Sequence, residues 1–160
     1  MQVSVKQKAA FIDWATPWAV EASRRTGIHW QVIVAQWCHE TGFGTSALFI
    51  THRNPGGIRR SALTPTAPVA PGGTFRHYDS WGEAMADYVR VMLLGYYTAV
   101  RVDAGIGAQI VELGKSPYDA GHYRGSKASN PPGSALRAYL PVIEMLAPLG
   151  GMGVLGPQPV

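Results

Sequence analysis

With 160 residues, 46% of them hydrophobic and 15% charged, the chain is long enough to bury the core of one domain and too apolar to stay disordered. A formal charge of +4 and a pI near 9.4 favour contact with a polyanion, whether wall polymer, nucleic acid or membrane surface, without choosing among them. The single cysteine, Cys38, excludes an intrachain disulfide, and no apolar run approaches the roughly 20 residues of a membrane span.

From Val5 to Thr26, Phe11, Trp14, Ala15, Trp18 and Ala22 recur at helical spacing. Thr16-Pro17 predicts a break there, giving two short helices. Gly27 ends the pattern, which resumes from Ile28 to Glu40 and stops again at Thr41-Gly42. Between Thr51 and Thr74, Pro55, Pro65, Pro68 and Pro71 alternate with Gly56, Gly57, Gly72 and Gly73, which predicts an irregular or hairpin lobe. Ser80-Trp81-Gly82-Glu83 has capping-box spacing ahead of a helix from Ala84 to Tyr97. Asp103 is expected to cap a helix running through Glu112 to Gly114, Tyr118 to Pro132 to be polar loop, and Ser134 to Leu146 to form the last helix. The expected fold class is mainly α with one small lobe. Residues 1–148 are expected to form the domain and the Gly/Pro-rich 149–160 a tail or linker.

Among the ten carboxylates, most have a plain reading. Asp13, Glu21 and Glu144 fall on polar helix faces, Glu83 and Asp103 at caps, and Glu112 in a last turn; Asp79, Asp87 and Asp119 stay open. Glu40 differs, because a carboxylate at a helix C-terminus meets the negative end of the dipole, and Trp37 and Phe43 beside it disfavour the charged form. Such a group keeps its proton near neutral pH, as a general acid must. A glutamate bonded to the amides of the following loop fits the position equally well.

Competing chemistries fail on spacing. His39-Glu40 begins a zinc-protease HExxH, but Phe43 stands where the second ligand is needed. Cys38 lies near a helix C-terminus, the wrong end to activate a thiolate, and reads as core. His29, His39, His52, His77 and His122 show no close metal-ligand spacing, and the basic residues are scattered rather than clustered as nucleic acid would require. No metal or cofactor, no nucleic-acid partner and no stable membrane association are expected.

Ala35-Gln36 followed by Glu40-Thr41-Gly42-Phe43-Gly44-Thr45-Ser46 resembles the signature of glycoside hydrolase family 73, the flagellar-rod and autolysin type of N-acetylglucosaminidase. Three further blocks follow in the family's order: Asn54-Pro55-Gly56-Gly57-Ile58-Arg59; Phe75-Arg76-His77-Tyr78-Asp79-Ser80 with Ala84, Asp87 and Tyr88; and Tyr97, Ala108 and Tyr118 to Tyr123. The resemblance spans Phe11 to Tyr123 and implies a lysozyme-like helical domain whose groove takes peptidoglycan, cut at the β-1,4 bond between N-acetylglucosamine and N-acetylmuramic acid. It implies Glu40 and Tyr123 as catalytic residues and Phe43, Asn54, Gly57, Tyr97, Tyr118 and His122 as substrate-binding ones. Ser61 to Thr74 holds no Asp or Glu, where many members of the family carry an acidic residue. The displacement is therefore expected to be completed by the sugar's own 2-acetamido group or by a water held by Tyr123.

The alternatives are a lytic transglycosylase or muramidase of the lysozyme superfamily, or a non-catalytic wall-binding module of a phage tail that stacks sugars on Trp81, Tyr97 and Phe43. The N-terminus, MQVSVKQKAAFIDW, lacks the apolar stretch and cleavage site of a signal peptide. A monomeric phage lysin, a virion-associated lytic domain or a piece of a larger secreted autolysin is expected, acting on the bacterial wall.

Overall fold

The computed structural model describes residues 2–59, 74–102, 105–116 and 134–150, with side chains of the last helix described over 138–146. Among these residues the chain is helical: α1 (Val5–Thr26), α2 (Trp30–Thr41), α3 (Ala47–Ile50), α4 (Trp81–Met92), a 3-10 turn (Gly95–Tyr97), α5 (Thr98–Val102), α6 (Ile106–Lys115) and α7 (Ser134–Gly150). The mainly α class is as expected.

The predicted break at Thr16-Pro17 does not occur, for α1 runs unbroken through Pro17. A proline inside a helix forfeits one backbone bond and crowds the preceding turn, at about 3 kcal/mol. Two features offset this. Pro17 and Asp13, whose carbonyl loses its donor, both lie exposed, on the solvent side of the helix where a lost bond costs least. On the opposite face Ala15, Ala19 and Ala22 are almost wholly buried, and this small-residue stripe lets α1 pack closely on α2. Ser4 and Gln7 cap the start reciprocally, a box written in the sequence as Ser-x-x-Gln.

α2 is the central helix. Every residue from Gln31 to Cys38 is buried, because α1 covers one side and α7 and α6 the other. A helix buried all round needs partners for its polar residues; Gln36 receives the Tyr88 hydroxyl of α4 at 2.7 Å. α2 ends as predicted, at Gly42, whose left-handed φ of 57° turns the chain back.

Other boundaries moved. α3 was not foreseen. α4 stops at Met92 rather than Tyr97, giving way to the 3-10 turn. Ser80 caps it by accepting from the Glu83 amide, but Glu83 returns its carboxylate to the Asp79 amide, so the box is shifted by one residue. α6 begins at Ile106 with Gly105 at the cap position. Asp103, the 118–132 loop, Asp119, most of 61–74 and the 151–160 tail lie outside the described residues.

The two ends of the lobe meet in one antiparallel bridge, Arg59 to Phe75, with the Arg59 guanidinium over the Phe75 ring at 4.5 Å. Behind it sits Asn54, fully buried. Its amide donates to the carbonyls of Ile58 (2.9 Å) and Arg76 (3.0 Å), and its oxygen accepts from the Ile58 amide (2.9 Å). Replacing Asn54 by Ala removes all three bonds and strands buried backbone groups, so a loss of about 3 kcal/mol is expected; urea titration of the variant measures it.

Candidate active site

Glu40 occupies the last turn of α2, partly buried. Burial pushes its carboxyl up to about 7, the guanidinium of Arg59 pulling the other way. Against it lies Gly57. A Cβ built on that glycine would stand 2.5 Å from Glu40 Oε2 and 2.9 Å from Cδ, and the glycine's φ is +61°. The Asn54-to-Arg59 block therefore meets the Glu40 block face to face, one bringing a bare backbone surface and a cation, the other a carboxyl that holds its proton near neutrality.

Past Glu40 the chain makes a tight turn. Thr41 Oγ1 donates to the Trp37 carbonyl at 2.7 Å and accepts from the Gly44 amide at 2.9 Å. Phe43 is held at a φ of +55° with the Lys8 ammonium over its ring at 5.1 Å. It borders an open cleft of about 400 Å³ lined by Gln7, Ala10, Phe11, Trp14, Gly44, Thr45, Phe49 and Trp81 as well. Glu40 is not among the lining residues, so this aromatic cleft lies beside the acid rather than over it. Trp37 is fully buried in the core, and Trp14 and Trp18 are partly buried against that core.

Two expected substrate contacts are corrected. Asn54 spends its amide on the lobe's own backbone and is sealed from solvent. Tyr97 is 6% exposed, too little ring face for a sugar, and burial pushes its hydroxyl up to about 12. Tyr118, His122 and Tyr123 lie outside the described residues.

Cys38 is buried core, its thiol pushed up by burial. The histidines are not all isolated: His52 and His77 meet through their Nδ1 atoms at 3.1 Å, and His77 Nε2 reaches Asp79 at 3.2 Å. Folding joins rings 25 positions apart, which spacing alone does not reveal. Among the described residues no three or more His, Cys, Asp or Glu side chains gather to hold a metal, and no helix is long and apolar enough to cross a membrane.

Sequence reasoning also missed Asp87. It receives Arg76, Tyr78 and Arg90, all within or beside the Phe75-to-Tyr88 block whose residues were noted but not assigned work. Glu112 pairs with Lys115 at 3.3 Å.

The described helices superpose on several solved structures. The glycoside hydrolase domain of FlgJ from Salmonella typhimurium is 24% identical, with a TM-score of 0.64 and 89% of each chain covered. A peptidoglycan hydrolase from Sphingomonas sp. A1 is 23% identical, at 0.64, with 83% of this chain and 86% of that one covered. The catalytic domain of the autolysin Auto from Listeria monocytogenes is 17% identical, at 0.62, with 91% and 87% covered. At such identities the likeness is one of fold. No curated protein matches the sequence. The family model for glucosaminidase, described as mannosyl-glycoprotein endo-beta-N-acetylglucosaminidase, matches residues 16–136. That match takes in Glu40, the lobe and α4 through α6, and with the four ordered motif blocks it places the chain in the glucosaminidase family, glycoside hydrolase family 73.

Proposed function

We propose that Glu40 is the general acid of an endo-β-N-acetylglucosaminidase that cuts peptidoglycan between N-acetylglucosamine and N-acetylmuramic acid. The chain is a glycoside hydrolase acting on peptidoglycan, and the bond and the acid are the added claims. One observation carries the acid: a carboxyl lifted to about 7 by burial and pressed against the bare backbone of Gly57. A glycosidic oxygen leaves as an alcohol only if a proton reaches it as the bond breaks. A carboxyl protonated up to neutrality, then ionised once the proton is spent, supplies it near its own pKa. Arg59 adds a cation close to the anion that remains.

No aspartate or glutamate stands between Ser61 and Thr74, so the far side of the sugar is served by a water on Tyr123 or by the substrate's 2-acetamido oxygen. Tyr118 and His122, which precede that tyrosine in the sequence, are the further substrate contacts, and Phe43 offers an aromatic face to the strand. The enzyme acts as a monomer, as a phage lysin, a virion-associated lytic domain or a domain of a larger secreted autolysin.

Mass spectrometry of digested wall tests the bond. A reducing N-acetylglucosamine end is expected. Fragments ending in reducing N-acetylmuramic acid would make it a muramidase, anhydromuramic ends would make it a lytic transglycosylase, and wall that binds the protein but releases no new ends would make it a binding module.

A further inference from the structure

Asp87 lies on α4, with a side chain 15% exposed beside an Arg76 that is 2% exposed. Its Oδ2 takes hydrogen bonds from both Arg76 and the Tyr78 hydroxyl, while Oδ1 takes Arg90 Nε at 2.8 Å. Burial draws the Asp87 carboxyl upward, but the bonds from Tyr78 and Arg90 and the charge of Arg76 outweigh it and hold the group below its ordinary value. Asp87 is therefore an anion at any working pH, gripping the returning segment of the lobe from the helical body.

The grip is passed on through backbone. The Arg76 amide donates to the Ile58 carbonyl at 2.9 Å, and the Tyr78 amide to the His52 carbonyl at 3.0 Å. Asn54 then braces Ile58 and Arg76 from inside. On this frame hang Gly57, which abuts Glu40, and Arg59, whose charge reaches it. Apolar packing could keep the lobe on the body, but directional bonds to a buried charge fix where it sits.

We propose that Asp87 is a positioning residue for the hydrolysis: through Arg76 and Tyr78 it fixes the Asn54–Arg59 segment so that Gly57 closes against the Glu40 carboxyl. The inference rests on the reading of Glu40 as the acid. Of the charged groups around Glu40, Arg59 of the lobe acts on it. Lys8 of α1 acts on neighbouring Cys38, and His39 of α2 turns to the Tyr139 ring of α7. Loosening the lobe rehydrates Glu40, which lowers its pKa, and withdraws Arg59, which raises it. Burial is the larger influence, so the net movement is downward.

The test is a carbon-13 NMR titration of the Glu40 carboxyl, assigned with Glu40→Gln, in the parent and in Asp87→Asn. The variant is expected to titrate lower by about one pH unit, with kcat down about tenfold or more and the alkaline limb of the pH profile displaced by the same amount. Because Asp87→Asn weakens the hold on the buried Arg76 and Tyr78, the triple variant Arg76→Met, Tyr78→Phe and Asp87→Leu is titrated beside it. Replacing the carboxylate and both of its buried donors by apolar groups preserves folding far better than removing one member, yet restores no directional hold, so Glu40 is again expected to titrate low. A folded variant of either kind in which Glu40 titrates as in the parent overturns the proposal, whatever its activity. Normal lysis by Glu40→Gln would instead overturn the acid reading, and the titration would still judge the positioning claim.

Discussion

Replacing Glu40 by Gln is expected to slow wall hydrolysis by about 1,000-fold and to leave a folded protein that is more stable than the parent at pH 8. The amide keeps the shape of the side chain but has no acidic proton to give. The stability gain follows from the direction of the carboxyl's shift. Burial raises Glu40 from 4.5 to about 7, so between those values the folded chain holds a proton that the unfolded chain has released. Its contribution to stability is fully present below 4.5 and is lost as pH rises through about 7. At pH 8 the parent carries a partly buried anion at a cost of about 3 kcal/mol, which Gln does not incur. Calorimetry should therefore find Tm higher in the variant by roughly 5–10 °C at pH 8 and nearly equal at pH 4. In the parent, activity should decline above about pH 7 as the proton is lost. A Tm gap of the same size at both pH values would mean that Glu40 is not the titrating group, and a variant that clears walls at the parent's rate would remove it from the chemistry.

The raised carboxyl of Glu40 was legible in the sequence because its signals are local: a helix end and apolar neighbours. Gly27 and Gly42 were readable for the same reason, each ending a periodic run with the one residue that takes a left-handed φ freely. Pro17 misled because its rule is local, whereas the decision is tertiary. The alanine face of α1 against α2 outweighs one lost bond. Asn54 and Tyr97 misled in the opposite sense, since a polar or aromatic residue in a functional block serves substrate or scaffold alike until its partners are known. Asp87 could not be assigned from spacing at all. Its three donors come from positions 76, 78 and 90, and only the return of the lobe onto α4 gathers them.

Gly57→Ala separates the shape of the site from the strength of its scaffold. Alanine at a φ of +61° costs about 1 kcal/mol, and its Cβ would stand 2.5 Å from Glu40 Oε2. Either the loop or the carboxylate must give way. The loop is braced by Asn54 on both sides of the glycine's neighbour Ile58, while Glu40 ends on a flexible stem, so the carboxylate moves. Stability should fall by only about 1–2 kcal/mol, but an acid displaced by an ångström should lose about 100-fold in kcat. Gly107→Ala, where an added Cβ meets nothing within 4 Å, is the control and should leave kcat unchanged. Gly57→Asn decides the cause, because Asn eases the left-handed backbone and still thrusts a Cβ at the carboxyl. If it is as slow as Gly57→Ala, contact with Glu40 is what the glycine protects. Recovery of the parent's rate would assign the whole loss to backbone strain and detach the lobe's bare surface from the chemistry.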